Sequence, residues 1–162
     1  PIAHAADTAV VCLHLVLAEA AAMHAEGLEH QPGDYTQEVR LRLELGRYVQ
    51  AEDYVRAERG RQVLTAAVDA ALKGQSALAL PALAIPAHRL GTEAVDFGAT
   101  REPLRNAMLR LTQLFNATGH PAVSIPCGTT PDGLPVGLQL VGRRHQTDQL
   151  LAVAEACEAV LG

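Results

Sequence analysis

The sequence predicts an α/β fold, a mixed β-sheet flanked by helices, and three observations carry that expectation. Residues 4–73 hold three segments whose apolar positions recur at helical spacing. Two short, uncharged runs, AVSIPCG and PVGLQLVG, read as strands joined by a TPDG turn. A final segment, DQLLAVAEACEAVL, reads as a helix capped by Asp148. The predicted order is helix, helix, helix, strand, helix, strand, strand, helix.

Taken in order, residues 4–27 read as one helix, apolar on nearly every face and ended by Gly27, which is the pattern of a buried helix. The run at 9–23 is too short to span a bilayer, and no basic segment precedes it. HQPGD is a loop with Asp34 as the predicted N-cap and Gln37 three residues on. The next helix places Tyr35, Val39 and Leu43 on one face and pairs Glu38 with Arg42 and Arg40 with Glu44 at i,i+4. A third helix begins near Ala51, with Glu52 and Asp53 in its first turn, and carries Tyr54, Ala57, Leu64, Val68 and Leu72 inward before ending at Lys73-Gly74. SALALPALAIP (76–86) reads as a buried strand closed by Pro81 or Pro86, whose sheet neighbours must come from elsewhere in the chain. Residues 87–101 read as a loop. Residues 103–117 read as a helix with Leu104, Met108, Leu111 and Phe115 on one side.

Composition narrows the function classes. The 162 residues fit one domain of ordinary size or half of a larger one, and 49% apolar content suffices for a core. Aromatics are only 3%, so that core is aliphatic. A net charge of −5 argues against a nucleic-acid-binding surface. Three widely spaced cysteines, Cys12, Cys127 and Cys157, read as reduced thiols of a cytoplasmic protein. The chain starts at Pro1, which reads as a cut from something longer.

No engine is visible in the residues themselves. The seven histidines show neither i,i+4 pairing nor zinc-ligand spacing. Cys127 follows Pro126 at a strand end with His120 seven residues earlier, and reads better as a small buried hydrophobe than as a nucleophile. Ser76 and Ser124 are the only serines, and no GxSxG elbow surrounds Ser124. Lys73, the only lysine, suits a helix C-terminus. The glycines at 128, 133, 137 and 142 form no phosphate cradle.

The Gly/Pro-rich stretch nonetheless has a pattern. FNATGHPAVSIPCGTTPDGLPVGLQLVGRRHQTDQLLAVAEACE resembles the C-terminal signature of the amidase signature family, through Asn116, Gly119, Pro121, Ser124, Pro126, Gly128, Gly133, Leu134, Pro135, Gly137, Gln139 and Gly142. Upstream, Asp34, Tyr35, Arg40, Gly46, Tyr54 and Ala57 look like the same family's middle region, and Pro81-Ala82 stands where the family has Pro-Thr. The resemblance covers the chain from about residue 14 onward.

The resemblance implies the C-terminal half of the amidase signature fold, so that residues 1–162 form the C-terminal portion of a single domain. It implies hydrolysis of a carboxamide to acid and ammonia by a Ser, a second Ser with a cis peptide and a Lys, without cofactor or metal. This chain has no Ser-Ser or Gly-Gly-Ser segment, so that triad is expected upstream of Pro1, no residue here is expected to be catalytic, and the 162 residues alone are expected to be inactive. By resemblance, Thr112, Phe115 and Asn116 are the candidates for substrate contact; their alternative roles are core for Phe115 and helix C-cap for Asn116. The implied partners are the N-terminal half of the same protein, a small-molecule amide and a second copy in a homodimer, with no nucleic acid and no membrane. The A subunit of a tRNA-dependent amidotransferase and a non-catalytic scaffold module are the rival readings.

Overall fold

The computed structural model describes residues 1–161. It divides into two compact units, His4–Leu64 in one and Thr65 onward, with Pro1–Ala3, in the other.

In the His4–Leu64 unit, a 3-10 turn at Ala5–Asp7 leads into α1 (Thr8–Met23), followed by α2 (Ala25–His30), a second 3-10 turn at Pro32–Asp34, α3 (Gln37–Gly46) and the start of α4 (Ala51–Ala71). The single helix expected over 4–27 is therefore broken at His24. Its Nδ1 lies 3.2 Å from the Tyr35 hydroxyl, and the two rings meet edge to face. Gly27 does not end a helix but lies inside α2, where a Cβ would collide with the Tyr35 hydroxyl. The expected Asp34 cap is also displaced. Asp34 closes the 3-10 turn, its N–H bonded to Gln31 O at 3.1 Å, and Thr36 caps α3 instead by accepting the Val39 N–H at 3.4 Å. The Glu38–Arg42 and Arg40–Glu44 pairs form as read, at 3.3 and 3.8 Å.

α1 packs on α3, and the crossing is closest at Gly46. A Cβ there would strike the Leu17 carbonyl and stand 2.7 Å from the Ala21 methyl. Leu43 is buried, whereas Val39, expected on the same inward face, is exposed, because α3 meets α1 only along its Leu43–Gly46 edge. The expectation that α1 is buried all round also fails. Val11, Cys12, Leu15 and Ala21 are buried, but Val10, Leu13, Val16 and Met23 stand in the open, Met23 at 81%. The turn at Ala5–Asp7 lengthens the helical run to Ala5–Met23, 19 largely apolar residues. Length and composition would therefore let it cross a membrane, although core helices and signal sequences meet the same criterion.

In the other unit Val68 of α4 and Leu72 just after it are buried, and three strands form an antiparallel sheet in the order β1-β5-β4. β1 is Leu78–Pro81, β4 is Ala122–Thr129 and β5 is Pro135–Val141. As its isolation required, β1 finds its partner far along the chain, with Leu78 opposite Val141 and Leu80 opposite Gln139. It is half-buried rather than buried, the condition of an edge strand. β4 and β5 join through Thr130–Gly133, where the Gly133 N–H bonds Thr130 O at 2.8 Å and the Leu134 N–H bonds Thr130 Oγ1 at 3.0 Å.

The expected loop at 87–101 contains a hairpin, β2 (Ala94–Phe97) with β3 (Thr100–Pro103), turning at Gly98 with φ of 64°. Its charges, Asp96, Arg101 and Glu102, mask the alternation. The single helix expected over 103–117 splits into α5 (Leu104–Leu109) and α6 (Gln113–Thr118), and Met108, expected inward, is exposed. α7 (Thr147–Leu161) begins one residue before Asp148, which lies in its first turn instead of capping it. The core of the sheet layer is Ile125, Leu140, Leu150 and Ala154, with Ala77, Val123, Leu138, Val153 and Cys157 packed against it.

Candidate functional site

The site is built on the sheet face that α7 leaves uncovered. Val123 and Ile125 of β4 and Leu138 and Leu140 of β5 face α7. Strand alternation sends the cross-strand partners Ser124 and Gln139 to the opposite face. Ser124 is exposed there, while Gln139 is buried and donates from Nε2 to the Leu111 carbonyl at 2.9 Å. Gly137 lies on the same face, where a Cβ would approach Ser124 Oγ to 2.6 Å and the Ala82 methyl to 3.1 Å. Only glycine allows strands and side chains to close up at that point.

The Gln139–Leu111 bond ties the segment just before α6 to this face, at the residue next to Thr112. Thr112 precedes α6 and is half-buried; its hydroxyl makes no capping bond. Its carbonyl accepts the N–H groups of Phe115 and Asn116 at 3.2 and 3.3 Å. Asn116 is exposed. Phe115 is only 4% exposed, so its side chain belongs to the core. Asn116 is not the C-cap of its helix. Gly119, in the left-handed region at φ 69°, holds that position, with its N–H on Phe115 O at 3.0 Å.

A polar chain that sequence reading missed runs from buried Thr118 and His120 after α6 to exposed Asp69 and Arg144. The Thr118 hydroxyl reaches Leu114 O at 3.0 Å and lies 2.8 Å from His120 Nδ1. His120 Nε2 faces Asp69 Oδ1 at 3.1 Å, and Arg144 donates to Asp69 Oδ2 at 2.9 Å. Burial pushes the His120 pKa down, against the raising effect of Asp69. Burial pushes the Asp69 carboxyl up, but the hydrogen bonds from His120 and Arg144 outweigh it and hold the group below its ordinary value. No local signal could have shown this network, because Asp69 lies 51 residues from His120 and 75 from Arg144.

With both ring nitrogens engaged, His120 is no base for Cys127, whose Sγ points to the Val136 carbonyl at 3.4 Å. Cys12 is buried, and burial pushes its thiol pKa up, away from reactivity. Lys73 is exposed just past α4. Among the described residues no cluster of His, Cys, Asp or Glu could hold a metal ion.

A three-stranded antiparallel sheet with one face packed on α7 and helices around it is a mixed α/β fold. The chain belongs to the amidase signature family: the family model described as Amidase matches residues 3–151. It is 40% identical over 121 residues to an amidase of Pseudomonas putida, covering 74% of this chain and 26% of that protein. It is 33% identical over 133 residues to the A subunit of the glutamyl-tRNA(Gln) amidotransferase of Koribacter versatilis (strain Ellin345), covering 76% and 26%. A crystal structure of an amidase superimposes on all of this chain and 36% of its own, with a TM-score of 0.89 and 34% identity. The chain thus spans about a quarter of the length of these curated relatives and about a third of that structure.

Proposed function

We propose that these residues form the C-terminal part of an amidase signature domain that hydrolyses a carboxamide to a carboxylic acid and ammonia. The Ser, second Ser and Lys of that chemistry are supplied by polypeptide outside the 162 residues. The observation that carries this reading is the sheet face opposite α7, where signature positions Ser124, Gly137 and Gln139 lie together and Gln139 bonds the Leu111 carbonyl next to Thr112. A wall of this kind holds an amide while another segment attacks it, and its contribution is orientation. Thr112 and Asn116 supply hydrogen bonds to the substrate; Phe115 supports them from the core.

The same reading gives the open side of α1 an occupant. Val10, Leu13, Val16 and Met23 are covered by the rest of the amidase fold, which explains why so apolar a helix is left exposed in this segment.

The test is ammonia release from primary carboxamides such as benzamide and butyramide by the full protein in which these residues occur. In Ser124→Ala kcat should persist even where KM rises, and the 162-residue chain alone should release none. Ammonia release by the 162-residue chain, abolished in its Ser124→Ala form, would place the nucleophile in this chain and overturn the reading. The similarity to the amidotransferase of Koribacter versatilis supports a second reading, transfer within a tRNA-dependent complex, against which the acidic net charge of this segment weighs. Activity that appears only on adding the partner subunits would select it.

A further inference from the structure

The break between α5 and α6 leaves one carbonyl without its helical partner. In a continuous helix Leu111 O would accept the Phe115 N–H, but that N–H bonds Thr112 O instead. The released carbonyl is taken by Gln139 Nε2 at 2.9 Å, from a side chain 5% exposed in the middle of β5. A buried amide needs such a partner, and a buried carbonyl needs such a donor, so each satisfies the other.

The residue before Leu111 is held from a different direction. Arg110 Nη2 donates to both carboxylate oxygens of Glu102 on β3, at 2.6 and 2.7 Å, and the guanidinium lies 4.6 Å from the centre of the Phe97 ring on β2. The three-residue link 110–112 is thus tied to the sheet through Gln139 and to the hairpin through Arg110, and Thr112 is its last residue.

We propose that Gln139 and Arg110 are positioning residues of the substrate wall: their two anchors fix the 110–112 link and thereby set Thr112 and Asn116 against the Ser124 face. This rests on the amidase reading given above. It assigns the Gln of the Gly-Leu-Pro-x-Gly-Leu-Gln stretch a task, the supply of a donor that the interrupted helix lacks. It also gives the β2–β3 hairpin a role in binding.

The test uses the full protein and two variants. Gln139→Met keeps the length of the side chain and removes the donor; Arg110→Met keeps the stem and removes the fork. Hydrogen exchange at the Phe115 and Asn116 amides should rise about tenfold in each, the scale of one lost hydrogen bond, with α7 and β4 unchanged. For benzamide or butyramide, KM should rise about fivefold or more while kcat moves less than about twofold, the signature of a displaced binding wall. Unchanged local exchange overturns the proposal, and so does exchange that rises evenly through the whole unit, which would make these residues merely structural. If Gln139→Met does not fold, Arg110→Met, altered at a half-exposed side chain, decides. If the unmodified protein hydrolyses no amide, the functional reading fails by itself, and the exchange measurement still decides whether the anchors hold the link.

Discussion

His120 Nε2 stands 3.1 Å from Asp69 Oδ1, with the imidazole fully out of solvent. Both protonation states of the ring find partners there. As a neutral ring it donates from Nε2 to Asp69 and accepts the Thr118 hydroxyl proton at Nδ1. As a cation it donates from both nitrogens, and the Thr118 hydroxyl turns to Leu114 O. Burial favours the neutral ring, so the His120 pKa lies below the ordinary 6.5. The unfolded chain therefore binds the proton more readily, and stability must fall as pH drops below 6.5 towards the folded value. Asp69, held below its ordinary 3.8, acts with the same sign at lower pH. Urea midpoints measured from neutrality downward should decline through this range. His120→Gln, whose amide can still reach Asp69, should flatten the upper part of the decline. An equally steep fall in that variant would assign the effect to other groups.

The α1–α3 crossing makes a sharper mutational contrast. Gly46→Ala improves intrinsic helix propensity by about 1 kcal/mol. The new methyl, however, meets the backbone carbonyl of Leu17, which cannot swing aside. A net loss of about 1–3 kcal/mol is expected from overpacking. Gly60→Ala is the control: there the methyl meets the Cγ2 of Val11, a side-chain atom at 2.7 Å, and the cost should be smaller. Denaturant unfolding of the two variants side by side checks the order.

Leu150 is 2% exposed and packs with Ile125, Leu140 and Ala154, its Cβ beneath Gly142. Leu150→Ala should cost about 2–5 kcal/mol, since a sheet and a helix joined by so few large side chains collapse poorly around a void. The measurement is the unfolding free energy, with circular dichroism to show that the folded state persists.

Two adjacent residues of α6 should separate stability from binding. Phe115→Ala is expected to destabilise by about 3–5 kcal/mol because the ring is buried. Asn116→Ala, altered at an exposed position, should leave the melting temperature nearly unchanged and raise KM for an amide substrate about tenfold, the value of one good polar contact. An Asn116→Ala enzyme with unchanged KM would remove Asn116 from the wall.

Local signals are legible in the sequence and distant ones are not. The β4–β5 strands, their Thr130–Gly133 turn and the ion pairs of α3 depend on neighbours within a few residues, and each stands where the sequence puts it. The helix breaks escape a sequence reading because the partners met at them lie elsewhere in the chain: Tyr35 at the ring of His24, and Gln139 at the carbonyl of Leu111. The β2–β3 hairpin is hidden because its strands are short and charged, and its contacts with Arg110 come from a separate segment. Asp69 offers no clue at all. A lone carboxylate in a helix reads as a solvated charge until His120 and Arg144 arrive from two other segments.

That convergence on Asp69 has a topological consequence. β1 is stitched to β5, and α4, just ahead of it, is fastened through one carboxylate to the α6–β4 corner and the β5–α7 loop. The segment from 82 to 93 between β1 and β2 contains no regular element, and Leu90 on it is fully exposed. A protease cut at Leu90 would therefore sever the peptide chain without parting its two pieces.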